Sequence, residues 1–153
     1  RIPWVRERLV VFFALPCVQR RKIREAAPVA FLTPDHPLAG RAALELEEVA
    51  SHPVIVFSEG ASDGFMRDLF ERMRLSPDIR QRVASLELMR SLAAHGVGIG
   101  ISYAHPPSDL SYDGKPLVTV PIVTAEAKAD IVRVWSSHRA QDNRFSAILD
   151  AIA

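Results

Sequence analysis

Apolar residues fall along this chain in two kinds of pattern, and the two alternate. Short unbroken runs at Leu9–Ala14, Val29–Leu32 and Val54–Phe57 have the content of strands covered on both faces. Pro16 stops the first run, and Pro28 and Pro34 bound the second. Elsewhere the spacing is helical. Leu44–Ala50 predicts a short helix with Leu46 and Val49 inward, ended before Pro53. After the polar loop Ser58–Gly64, the stripe Phe65, Met66, Leu69, Phe70 and Met73 predicts a helix running to Leu75. Ser62 or Asp63 is its natural N-cap.

The second half continues the alternation. Ile79–Ala84 predicts a strand, and Ser85 is placed to cap a helix over Leu86–His95. Leu88, Met89, Leu92 and Ala93 form its expected inner face, and Gly96 supplies the C′ position. Val97–Tyr103 predicts a strand in which Gly98 and Gly100 let another backbone or a ligand come close. His105–Gly114 reads as a loop containing a tight Asp113-Gly114 turn. Val118–Val123 and Asp130–Trp135 predict two more strands. Phe145, Ile148, Leu149 and Ile152 predict a last helix begun at Asp142 or Asn143. The basic run Gln19–Arg24 has no aromatic residue interleaved, so it reads as a solvated loop rather than a nucleic-acid patch.

Strands alternating with helices predict an α/β fold with parallel pairing and right-handed crossovers. In such sheets small ligands bind beyond the carboxyl ends of the strands, where helices begin. That rule selects the loop Ser58–Asp63 and Ser85.

Composition narrows the function. With 48% hydrophobic and 24% charged residues, the 153-residue chain can bury a core, which excludes disorder as its main state. Nineteen Lys and Arg against eighteen Asp and Glu leave a net charge of +1, so no global field recruits nucleic acid or an anionic membrane. A single cysteine, Cys17, excludes an internal disulfide framework and a cysteine-rich zinc site. Arg1, Arg6 and Arg8 before Leu9–Val18 imitate a secretory leader, but the apolar run is too short to span a bilayer. Pro16 also stands where a small residue should precede Cys17. The expectation is a buried strand in a cytoplasmic protein.

No catalytic constellation stands out. The glycines from Gly96 to Gly100 follow a helix and lead into a strand, the reverse of a dinucleotide fingerprint, so no nucleotide cofactor is expected. His36, His52, His95, His105 and His138 form no pair at metal-ligand spacing, and no metal is expected. Cys17 reads as an inert core thiol. An enzyme would need a paired acid and base that the sequence does not offer. Ser58, Ser62 and Ser85 suit a small polar ligand, and each equally suits a helix cap or a loop. Glu59 and Asp63, if they faced a cleft, would repel carboxylates and favour an amine or a neutral ligand. Tyr103 ends a strand with its phenol available.

Several segments, in order, resemble one family. Val29-Ala30-Phe31-Leu32-Thr33-Pro34-Asp35-His36-Pro37-Leu38-Ala39 is similar to the Pro-x-His-Pro-Leu-Ala segment of LysR-type transcriptional regulators. Leu46-Glu47-Glu48-Val49 and Pro53-Val54-Ile55-Val56-Phe57 resemble the helix and strand that follow in their effector domains. Val83-Ala84-Ser85-Leu86-Glu87, His95-Gly96-Val97-Gly98-Ile99 and Tyr112-Asp113-Gly114 continue the likeness, which runs from Val29 to Ala153.

The resemblance implies a type II periplasmic-binding-protein-like α/β fold. Two Rossmann-like subdomains are joined by crossing strands, with an inducer in the cleft. Val29–Thr33 and Gly100–Tyr103 would be the crossing strands. Residues 1–33 would be a remnant of subdomain 1 plus the first crossing strand, 34–99 subdomain 2, and 100–153 the second crossing strand with the rest of subdomain 1. Inducer contacts would fall at Thr33, Phe57, Ser58, Glu59, Ser62, Ser85 and Tyr103. The implied partners are a small-molecule effector and further copies in a homodimer or tetramer. DNA would be reached only through a winged helix-turn-helix outside this chain, and no membrane is involved. Subdomain 1 appears here as N-terminally incomplete. The rival expectation is an exported solute-binding protein of the same fold.

Overall fold

The computed structural model describes residues 18–58 and 61–136, with backbone alone at 18 and 61–63. The chain divides into two compact units, Arg1–Ala26 with Ala129–Ala153, and Ala27–Lys128. The expected strand Leu9–Ala14, Cys17 and the expected helix from Asp142 lie outside the described residues.

In the first unit, β1 (Val18–Ala26) pairs antiparallel with the final strand (Ala129–Ser136). The basic run is therefore a strand and not a loop. The partner strand carries Ile131, Val132, Val134 and Trp135, residues that favour extended backbone, and its ladder satisfies the polar backbone of the arginine-rich segment. The Lys22 ammonium pairs with the Asp130 carboxylate across the ladder. A bulge between Lys22 and Arg24 shifts the register at Ile23.

The second unit holds a five-stranded sheet. Its strands are β2 (Val29–Leu32), β3 (Val54–Phe57), β4 (Ile79–Val83), β5 (Ile99–Ser102) and β6 (Val118–Pro121), in the order β4-β3-β5-β2-β6. β3 runs parallel to β4 and β5, whereas β2 runs antiparallel to β5 and β6. The partner of β1 in the first unit is β7 in chain order. Helices α1 (Leu46–Ala50), α2 (Ala61–Arg72) and α3 (Leu86–Ala94) and a 3₁₀ turn at Ala125–Ala127 complete the elements.

The apolar runs are unbroken because the sheet is covered on both faces. On one face Ala30, Leu32, Val54, Val56, Ile99 and Ile101 pack with Leu46, Val49, Met66, Leu69 and Phe70. On the other, Phe31 and Ile55 pack with Met89, Ala93 and Leu117. Successive strand residues thus alternate between two cores. Each large side chain so buried stabilises the fold by about 1.5–3 kcal/mol.

β2 and β5 lie side by side, Ala30 opposite Ile101 and Phe31 opposite Gly100, within one sheet. The division between units falls at Ala26/Ala27 and Lys128/Ala129. The reason is burial: Ala30, Phe31, Leu32, Ile99 and Ile101 are all removed from solvent and need cover on both faces, which central strands provide.

Local chemistry ends the helices as expected in some places and not in others. Ser85 caps α3, its Oγ accepting from the Leu88 amide at 3.3 Å, and Gly96 takes φ +73° just past the helix. α2 begins at Ala61, so Ser62 and Asp63 sit in its first turn rather than at its cap. It ends at Arg72, and just beyond it Arg74 adopts φ +56° while the Leu75 amide donates to the Phe70 carbonyl. α3 is rotated from its expected setting. Met89, Arg90, Ala93 and Ala94 face inward, and Leu88 is 50% exposed.

Candidate functional site

The register of the parallel strands brings three chain segments to one edge of the sheet. Phe57 lies opposite Val83, and Val56 opposite Ile101. Ser58, Ser85 and the pair Ser102-Tyr103 therefore stand at or just past the carboxyl ends of β3, β4 and β5. α2 and α3 both start here, each directly after a parallel strand, and their free amides give the edge a partial positive character.

The hydroxyls at this edge differ in what they already do. Ser85 is exposed and caps α3, so its oxygen accepts one bond while its proton is still available. The half-buried Ser58 donates its amide to the Val83 carbonyl at 2.9 Å, which tethers the β3 and β4 ends together. Ser102 Oγ accepts from the Ala104 amide at 3.0 Å and turns the chain beyond β5. Tyr103 is half-buried; its hydroxyl donates to the Ala127 carbonyl, and its ring meets Phe65 of α2 edge-on, centroids 5.6 Å apart. Burial pushes its phenol up to about 12, with Arg72 acting weakly in the other direction.

Of the residues expected from sequence, Phe57, Ser58, Ser85 and Tyr103 come together at this edge. Phe57 is half-buried and packs against the core containing Phe31 and Ile55. Thr33 does not join them. β2 runs antiparallel to β5, so its end lies at the opposite edge, where Thr33 faces Gly96 beyond α3. Glu59 lies outside the described residues, and Ser62 is described by its backbone in α2 alone. Sequence reasoning passed over Ser102 and Phe65. The carboxyl-end rule that selected Ser85 applies equally to Ser102, whereas Phe65 was absorbed into the helical stripe.

The two glycines of the β5 segment admit protein atoms. A Cβ on Gly98 would stand 2.8 Å from the Pro53 carbonyl oxygen, and one on Gly100 2.8 Å from Met89 Cγ. Among the described residues no three His, Cys, Asp or Glu side chains gather as a metal site would require. Among the same residues no helix is long and apolar enough to cross a membrane.

Comparison with known proteins agrees with this architecture. Residues 6–153 match the family described as LysR substrate binding domain. The chain is 29% identical over 116 residues to the uncharacterized HTH-type transcriptional regulator YnfL of Escherichia coli (strain K12), covering 74% of this chain and 38% of that protein. The crystal structure of HinK, a LysR family transcriptional regulator from Pseudomonas aeruginosa, superposes with a TM-score of 0.79 at 25% identity. That match covers 90% of this chain and 48% of HinK. The BenM effector binding domain with its effector benzoate shares the fold, with a TM-score of 0.72 at 17% identity over 90% of this chain and 63% of that one. The chain thus spans less than half the length of the two regulators.

Proposed function

The chain belongs to the LysR substrate-binding domain family, and from that premise we propose that it is the sensor part of a transcriptional regulator. It binds a small-molecule effector at the edge formed by Ser58, Ser85, Ser102 and Tyr103. The observation that carries this assignment is the level ending of β3, β4 and β5, with α2 and α3 both starting there. Such an edge offers helix amides and hydroxyl protons to acceptor atoms of a ligand. Phe57 and Phe65 add apolar surface beside them. Glu59 and Ser62 are assigned to the same edge by chain position alone.

The activity is binding and not catalysis. An effector changes the regulator only through unequal affinity for two conformations, and the bias reaches DNA through a winged helix-turn-helix elsewhere in the regulator. The regulator acts in the cytoplasm as a homodimer or tetramer. BenM's benzoate gives a first probe to try.

A thermal-shift screen of small metabolites, benzoate included, tests the assignment on the full-length gene product. A true effector at one hundred times its dissociation constant adds about 2.7 kcal/mol of stability. Exchanging Ser58 and Ser102 for alanine should weaken that ligand, while the free protein loses no more than the about 1 kcal/mol of the Ser102–Ala104 bond. A screen with no stabilising compound, or a ligand indifferent to both serines, overturns the assignment.

A further inference from the structure

We infer that the Tyr103 hydroxyl is a latch that holds the segment by which the chain leaves the larger unit, and that it does so from within the effector edge. Tyr103 stands one residue past β5. Its hydroxyl donates to the carbonyl of Ala127, a buried residue that closes the 3₁₀ turn. Lys128 follows, and it is the last residue of that unit. Upstream, the same segment is anchored to α1. Thr124 Oγ1 accepts from the Leu46 amide at 2.7 Å and donates to Glu45 Oε2 at 2.6 Å. The Val123 amide donates to the Leu44 carbonyl at 2.9 Å. Tyr103 therefore secures the downstream end of a segment whose upstream end is already fixed. Its ring also touches Phe65 of α2, so one side chain reads β5, α2 and the exit together.

A phenol has one proton to donate. An effector that presents an acceptor atom at this edge competes with the Ala127 carbonyl for it, so occupancy releases the exit. This coupling rests on the effector assignment above; the latch itself does not. Tyr103 is thus a positioning residue, and its hydroxyl is engaged before any ligand arrives.

The test uses no ligand, so its outcome is separate from that of the screen. Spin labels at Glu126→Cys and Gln81→Cys, in a Cys17→Ser background, report the distribution of distances between the exit turn and β4 within the larger unit. Tyr103→Phe should broaden that distribution. It should also speed hydrogen exchange at the Ala127 and Lys128 amides roughly two- to tenfold, the factor that a hydrogen bond of ordinary net strength contributes. Exchange in β3 should not change, the melting temperature should fall by no more than the roughly 5 °C that one hydrogen bond contributes, and Tyr112→Phe should do nothing. A multiply fluorinated tyrosine at position 103 keeps the shape of the ring and titrates several pH units below tyrosine in the same place. With it the distribution should widen as pH rises through that titration. Unchanged widths in both variants, or exchange that quickens uniformly with a loss of global stability, overturn the latch.

Discussion

Arg90 Nη2 donates to the carbonyl oxygen of Leu110 at 2.7 Å, from a side chain only 1% exposed. The same nitrogen donates to the Ser108 carbonyl at 2.6 Å, and the guanidinium lies 5.4 Å from the centre of the Phe31 ring. A charge on the buried side of α3 thus holds the loop that precedes β6. Hydrogen bonds to a charged group are the stronger kind, and this one ties loop to core.

Arg90→Met keeps most of the side-chain volume and removes both bonds. The expected loss is about 3 kcal/mol in denaturant unfolding, since two carbonyls lose a charged donor. Limited proteolysis should cut first between His105 and Gly114. A variant as stable and as resistant as the parent would show that Arg90 contributes only packing.

The backbone contact at Gly98 makes a second case. A methyl group there would sit 2.8 Å from the Pro53 carbonyl oxygen, an atom that also accepts from the Ile99 amide at 2.8 Å. Neither strand can move without breaking the ladder, so Gly98→Ala should cost about 2–3 kcal/mol. Gly40 has nothing within 4 Å of its would-be Cβ, and Gly40→Ala should be neutral or stabilise by about 0.5 kcal/mol. Urea melts of the pair give the comparison directly.

Thr124 caps α1 from 78 residues away, accepting from the Leu46 amide and donating to Glu45. Thr124→Val preserves shape and leaves a buried amide at the helix start without its partner. A loss of about 1–2 kcal/mol is expected, with Thr124→Ser recovering most of it. Equal stability of the valine and serine forms would refute the cap.

Acid should weaken the fold through His36. Its Nδ1 accepts from the Leu38 amide at 3.2 Å, and its ring meets His52 edge-on at 4.8 Å. Burial, and then the charge of His52, lower its affinity for a proton in the folded state. The unfolded chain then binds the proton more readily. The stability contributed by neutral His36 is complete above the ordinary value of 6.5 and is lost as pH falls from there through the lower folded value. His36→Asn can still accept from Leu38 and cannot titrate, so its stability should fall less between pH 7 and pH 5, read by denaturant melts across that range. Parallel profiles would exclude His36 as the source.

Much of the architecture was legible before any coordinates. From the stripe Phe65 to Met73, Met66, Leu69 and Phe70 are the buried face of α2, and the runs Val29–Leu32 and Val54–Phe57 are buried strands. Ser85 and Gly96 mark the ends of α3 where capping chemistry places them. The ordered segments from Val29 onward pointed to the family that residues 6–153 match. The candidate edge was half legible: Phe57, Ser58, Ser85 and Tyr103 share it, and Thr33 does not.

What the amino-acid order determined alone is the buried strand runs, the inner faces of α1 and α2, and the chemistry that begins and ends α3, because periodicity and capping act within a few residues of chain. Tertiary structure decided strand direction, and with it the edge on which Thr33 falls, since an apolar run is the same whichever way it points. It also decided that Gln19–Arg24 forms a strand, because only a partner from residues 129–136 can satisfy that backbone. The inward setting of Arg90 depends on carbonyls 18 and 20 residues away, and no local pattern carries that information.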